Sequence, residues 1–212
     1  EEIEGLPVTS IGNECFADSN FKSITLPSTI KSIGQGAFRN SKLTSIGLPK
    51  GLLTIAQEAF EGSSITTLSL PDSVRSISNE CFAGSNIESI SLPSTITSIG
   101  RYAFLNSALS SIDLPDGLLT IGDHAFQGTQ IGSIYIPDSV SSIGRLCFIF
   151  CNNLTTVRLP INDQFKVIEH AVFQGSSIRK ITIPDSVENL QGAFEDCTNL
   201  REIVFLGNKP TQ

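Results

Sequence analysis

Six prolines, Pro27, Pro49, Pro71, Pro93, Pro115 and Pro137, stand 22 residues apart, and Phe16, Phe38, Phe60, Phe82, Phe104, Phe126 and Phe148 keep the same interval. A chain that returns the same residue types at so regular a spacing repeats one small conformation. Each copy is too small to bury its own apolar face and must bury it against the next. The unit reads F-x-x-[S/C]-x-[I/L]-x-x-I-x-L-P-x-[S/G]-[I/V/L]-x-x-I-G-x-x-[A/C]-F and recurs nine times, counting both partial ends. Later copies drift. The stretch after Pro160 carries two extra residues in "INDQFKV", Pro184 to Phe194 is one short, and "FIFCNNL" and "FEDCTNL" are one longer than "FRNSKL".

A longer period lies over the short one. Residues 11–76 and 77–142 share 41 of 66 aligned positions, and Cys15, Cys81 and Cys147 are each 66 apart. Duplication of a three-copy block accounts for this. No packing argument asks for a period of three, so the short period reflects physics and the long one descent.

Within a copy, "LTSIGL" (Leu43–Leu48), "ITTLSL" (Ile65–Leu70) and "IESISL" (Ile87–Leu92) alternate apolar with small or polar residues before each proline. That is the pattern of a half-buried strand ending at a residue with no N–H to donate. The next stretch, "STIKSIG" or "DSVRSIS", spaces its apolar residues by three and ends in a turn. "QGAF" and "RYAF" read as a single helical or 3₁₀ turn that buries Ala and Phe. Stacked copies with strands ~4.8 Å apart would make a parallel ladder roughly 40 Å long. Phe38, Phe60, Phe82, Phe104 and Phe126 would form one buried column.

The L-x-x-I-x-L core resembles that of leucine-rich repeats, and the extension L-P-x-S-[V/I]-x-x-I-G-x-x-A-F-x-x-[S/C] is similar to the BspA-like subclass, named for a bacterial surface antigen. The opening "IEGLPVTSIGNECF" and closing "IVFLGNKPT" resemble the ends of such arrays. The resemblance implies an α/β class fold. Its form is a right-handed leucine-rich-repeat solenoid with a parallel sheet on the concave face and short helical turns. It further implies a single array over 1–212 of about nine 22–25 residue units. The implied function is a non-catalytic adhesion or ligand-binding array, at the cell surface or secreted, with host matrix or plasma proteins or other microbial surfaces as protein ligands. An intracellular protein-interaction scaffold is the alternative. One column departs from the pattern. Where most leucine-rich repeats place Asn after the L-x-L, this chain has Thr29, Gly51, Ser73, Thr95, Gly117, Ser139, Asn162 and Ser186. Hydroxyls are expected to stand in, since Ser and Thr also bond nearby backbone. The consensus Cys after Phe survives only at Cys151 and Cys197.

Composition narrows the partners. A net charge of −7 argues against nucleic acid, whose phosphates want basic surface. The longest apolar run, Leu146–Cys151, has six residues, against the ~20 a membrane helix needs. A chain opening on Glu1 is expected to be a piece of a longer protein, and a monomer.

Chemistry-bearing residues are sparse. Cys15, Cys81 and Cys147 occupy a column otherwise held by Ala37, Ala59, Ala103 and Ala125. They read as small buried hydrophobes, three rungs and ~14 Å apart, too far for a disulfide. Cys151 and Cys197 are two rungs apart, and a local Cys147–Cys151 bridge is disfavoured. Five free thiols are therefore expected. There is no C-x-x-C and no cofactor is implied. His124 and His170 fall in different columns, which gives no triad. Asp72, Asp116, Asp138 and Asp185 follow prolines, where Asp is a turn former bonding backbone two residues on, although a cation column was the other reading. Asn153-Leu154-Thr155 is the one glycosylation sequon.

The outward strand positions carry the most information. Early copies present Ser, Thr and Gly there. From Asp113 onward Tyr135, Arg158, Arg179, Lys180 and Arg201 gather on successive rungs, facing away from the core. An aromatic among clustered arginines is the composition interface hot spots favour, so these five are the candidate ligand-binding residues, against the reading of ordinary solvated surface.

Overall fold

The structure, a computed structural model, describes residues 5–207 and the backbone of Glu2 and Ile3. Residues 208–212 of the closing stretch, and so the last part of the array expected over 1–212, lie outside the described residues.

The chain winds into stacked coils with three walls. The first wall holds nine short strands among the described residues, from Ser23–Thr25 and Ser45–Gly47 through Ser133–Tyr135, Thr156–Arg158 and Lys180–Ile183 to Glu202–Phe205. Every pairing in it is parallel and offset by one copy, as in Ser23↔Ser45, Ser89↔Thr67 and Tyr135↔Arg158. The alternation turns Ile or Leu inward and the hydroxyls outward. In most coils the strand ends before a proline whose carbonyl closes a tight turn. Leu52 N donates to Pro49 O at 3.0 Å and Val74 N to Pro71 O at 3.0 Å. One antiparallel pair, Glu2–Ile3 with Leu6–Pro7, precedes the first coil.

The second wall, the stretch read as apolar residues spaced by three before a turn, is a ladder. Two-residue strands from Ser10–Ile11 to Ser142–Ile143 pair in parallel, Ile on Ile, one coil to the next. Glycine follows most of them because the neighbouring coil passes close. A Cβ on Gly144 would lie 2.3 Å from Asp123 N. Where Ser78 takes this position, its hydroxyl donates to Ile55 O at 2.5 Å, the carbonyl that the backbone N–H of Gly34 or Gly100 takes in the matching coils, and the ladder breaks there.

The third wall corrects the expected helical turn and, with it, the α/β class. The described residues contain no helix. "QGAF" and its equivalents form overlapping β-turns in which alternate amides have different tasks. Ala37, Arg39 and Ser41 donate to the carbonyl three residues back, whereas Gly36, Phe38 and Asn40 donate onward to Gln57, Ala59 and Glu61 of the next coil, at 2.7–3.1 Å. A helix satisfies its amides internally. Here half of them stitch coil to coil, and that needs two left-handed residues per coil. One column of these is chemically mixed (Glu58, Tyr102, His124, Leu146), and the other is Asp18, Asn40, Gly62, Gly84, Asn106, Gly128, Phe150, Gly175 and Asp196. Gly, Asn and Asp are the residues that tolerate this conformation most readily.

Between the walls lies one continuous core. Phe38, Phe60, Phe82, Phe104, Phe126 and Phe148 are fully buried and stack with centroids 5.2–5.5 Å apart and planes within 8°. The Asn-like column works as expected. Thr29, Thr95, Ser139 and Ser186 each donate to a carbonyl of the preceding coil at 2.6–3.0 Å. Asn162 does more. Its Nδ2 reaches Asp138 O at 2.7 Å and Val140 O at 2.8 Å, while its Oδ1 accepts from Gln164 N and Phe165 N.

The first-wall ladder is less continuous than expected, falling into four hydrogen-bonded groups. One break separates Thr156–Arg158 from Lys180–Ile183, where the extra residues of the "INDQFKV" stretch lengthen the path between them. Nothing in the local sequence explains the breaks after Gly47 and Ile112.

Candidate ligand-binding face

The five candidate residues divide into two groups. Tyr135 and Arg158 are directly opposed on neighbouring rungs. Tyr135 is 56% exposed, and the Arg158 guanidinium lies 4.6 Å from its ring centroid. Arg158 is not a free cation. Its Nη2 donates to Asp138 Oδ2 at 2.8 Å, its Nη1 to Asp138 Oδ1 and, at 3.1 Å, to Ile136 O. Asp138 Oδ1 also accepts from Ile161 N at 2.6 Å. The Arg158 bond and then the Ile161 amide hold the Asp138 carboxyl below its ordinary range. Asp138 was read as a turn former bonding two residues on. It bonds the next coil instead, and so fixes an arginine under an exposed tyrosine.

The second group begins one rung later. Lys180 Nζ pairs with Glu202 Oε1 at 2.7 Å. Arg179 and Arg201 lie just before their strands rather than in them, with Arg201 N donating to Arg179 O at 2.9 Å. Both are exposed, and among the described residues neither makes an ion pair.

Two hollows meet between these groups. A shallow groove of about 560 Å³ is lined by Thr155, Thr156, Val157, Arg179, Lys180 and Thr182. A cleft of about 270 Å³ shares Val157 and Thr182 with it and continues past Arg158 to Ile161, Pro184 and Leu206. They open where the ladder parts between Thr156–Arg158 and Lys180–Ile183. Ile161 and Leu206 are 52% and 54% exposed. Reasoning from the sequence missed both. The insertion after Pro160 was the available signal for Ile161, whereas Leu206 reaches the cleft only through stacking.

A model of the BspA type leucine rich repeat region matches residues 9–131 and 119–210, in six copies. The chain belongs to the BspA-type leucine-rich repeat family. A comparison with curated proteins finds no match. Among solved structures, a leucine-rich repeat protein from Bacteroides ovatus aligns with a TM-score of 0.51 at 23% identity, over 93% of this chain and 76% of its own. The pneumococcal vaccine antigen PcpA aligns with a TM-score of 0.50 at 19% identity, over 97% and 69%. At such identities the likeness concerns the fold alone.

The remaining candidates of this BspA-type chain fall into structural places. All five cysteines are free. Cys81, Cys147, Cys151 and Cys197 are buried, but Cys15, expected to be buried, is exposed because it stands on the first rung of its column. Burial pushes the Cys147 and Cys151 thiols up, and Cys151 Sγ donates to Phe126 O at 3.0 Å. His124 stacks on Tyr102 at 4.7 Å and meets Gln127 Oε1 at 2.6 Å, while His170 faces Gln191 O. Among the described residues no group of three or more His, Cys, Asp or Glu is arranged to hold a metal ion. No helix there is long and apolar enough to cross a membrane.

Proposed function

We propose that this chain is a single non-catalytic ligand-binding array of the cell surface or the extracellular space. In this reading the outward strand face of its C-terminal half, with Tyr135, Arg158, Arg179, Lys180 and Arg201, engages a protein ligand. The observation that carries the reading is the immobilised pair Tyr135–Arg158. An exposed aromatic ring and an arginine held on three sides lose little freedom on binding, and that lowers the ordering cost of an interface. Strand geometry does not demand them, for the matching positions in the earlier coils are Thr25, Gly47, Ser69, Ser91 and Asp113. The family supports the surface placement, and PcpA, of the same fold, is a vaccine antigen.

The test is binding of the purified chain to immobilised plasma and matrix proteins. Arg158→Ser with Arg179→Ser and Arg201→Ser is compared with Ser23→Arg at the other end. Loss in the triple variant alone is the expected result. Equal binding by both variants, with unchanged salt dependence, would falsify the reading.

A further inference from the structure

We propose that the joined groove and cleft between the seventh and eighth strands take an extended peptide segment of the ligand that carries two acidic residues at one end and a bulky apolar residue at the other. This rests on the strand-face reading and names the chemistry of its partner.

Three observations carry it. First, the hollow has two unlike ends. Arg179 and Lys180 line one, while Ile161, Pro184 and Leu206 line the other, with Thr182 and Val157 between. Second, the charges at the polar end are unequally used. Lys180 is already paired with Glu202, but Arg179 and Arg201, one coil apart and joined by a backbone hydrogen bond, make no ion pair among the described residues. Two arginines on neighbouring rungs, neither paired with a carboxylate among the described residues, leave a local positive charge in a chain whose net charge is −7. An acidic partner neutralises that charge, and arginine's planar fork suits carboxylates. Third, the apolar end is held in shape. Asp138 ties Arg158 and the Ile161 amide together, so the wall of the cleft does not have to be ordered by the ligand.

The spacing follows from the strand. Lys180–Ile183 has four residues, which at ~3.3 Å each span about 13 Å. An extended ligand therefore needs about three to four residues between its acids and its apolar side chain. Exposed Leu206 and Ile161 would cover that side chain from two sides, and the acids would meet Arg179 in the groove and Arg201 one rung beyond it.

Fluorescence anisotropy with labelled synthetic peptides tests this on the whole chain. The probe is Asp-Asp-Ser-Thr-Ser-Phe. Its controls are Asn-Asn-Ser-Thr-Ser-Phe, Asp-Asp-Ser-Thr-Ser-Ser and the compact Ser-Thr-Ser-Asp-Asp-Phe. The full probe is expected to bind best, with every control weaker. Arg179→Ser with Arg201→Ser, and separately Ile161→Ser with Leu206→Ser, should each weaken it by about tenfold or more, as for truncated hot-spot side chains. Only the arginine pair should remove the salt dependence. All four side chains are exposed, and circular dichroism of each variant checks that it folds. The inference is overturned if no peptide binds, if the compact peptide binds as well as the probe, or if either double variant binds unchanged. It is also overturned if heparin, and not the peptide, is the anion whose binding depends on Arg179 and Arg201. Loss of peptide binding together with an intact effect of the triple variant on protein binding would reject the groove while leaving the strand-face reading in place.

Discussion

The six coils of residues 11–142 and the coils that follow share a core and differ at the surface. Phe60 and Phe126 in the first region and Phe148 and Phe173 in the second are all fully buried, and the centroid spacing changes only from 5.4 Å for Phe104–Phe126 to 5.6 Å for Phe148–Phe173. Outside the core the regions part. The duplicated coils keep equal lengths and a largely hydroxyl strand face. The later ones admit the "INDQFKV" insertion, break the ladder beside it, and gather Arg158, Arg179, Lys180 and Arg201. Each coil's interior is packed between two neighbours at once, whereas its exterior meets them only through single pairs such as Arg158–Asp138 and Lys180–Glu202, so variation is less constrained there.

The sharpest test of that shared core is Phe82→Ala. It should cost roughly 3–5 kcal/mol, as for other buried aromatics. Phe194→Ala should cost clearly less, because that ring is only partly buried. Urea unfolding gives both numbers. Hydrogen exchange should show the Phe82 variant loosening its adjacent coils before distant ones. Uniform loosening would mean that the coils do not act as neighbours.

Next in size is the column that joins coils beside the prolines. Asn162→Ala removes two donated and two accepted bonds and should destabilise by about 1–3 kcal/mol. Ser139→Ala, with one bond, should lose about 1 kcal/mol. If the two cost the same, the insertion is not anchored by Asn162.

A smaller effect of opposite sign is expected at the buried column after each Phe. Ser41, Ser63 and Ser107 hold hydroxyls with no partner, whereas Cys151 and Cys197 bond carbonyls of the preceding coil. Ser63→Ala should therefore be neutral or stabilising by up to about 1 kcal/mol. A loss of stability would mean that the hydroxyl is bonded in solution.

The smallest effects are electrostatic and oppose one another. Burial, then Glu58 and Glu80, raise the Glu61 carboxyl, so its contribution to stability falls as pH rises out of the ordinary carboxylate range. Asp138 is held low by Arg158, so its contribution is present at neutral pH and is lost as pH falls below about 3.9. Glu61→Gln should accordingly gain on the parent chain as pH rises. Asp138→Asn should fall behind it as pH rises through the range below about 3.9. Thermal unfolding at several pH values checks both signs.

The sequence made the core legible because Phe and Pro mark every copy, and identical copies can stack in only one register. It misread the third wall for a physical reason. "QGAF" buries Ala and Phe just as a helical turn would, and Glu58, Tyr102 and His124 give no hint of a left-handed backbone. The second left-handed column did give one, since Asn40, Gly62, Gly84, Asn106, Gly128 and Gly175 are the residues that conformation favours. At the candidate face, the exposed ring and cations were readable from strand alternation. Their partners were not, because Asp138 and Glu202 lie 20 and 22 residues from Arg158 and Lys180 in the chain and meet them only across coils.

The alternating amides of the third wall also give that wall an electrical direction. From Glu14, Phe16 and Asp18 onward, every coil-to-coil N–H of that wall points toward the next coil, as those of Phe173 and Gly175 still do near the end. Within that wall the peptide dipoles add, as along an α-helix, with the partial positive charge toward the C-terminal coils, whereas in the second wall Gly34 N donates back to Ile11 O and Gly122 N back to Ile99 O. In the last described coil the amides of Gly192, Phe194 and Asp196 continue that direction without an acceptor among the described residues. The two walls therefore carry opposed dipoles, so the polarity belongs to one side of the stack and not to the stack as a whole.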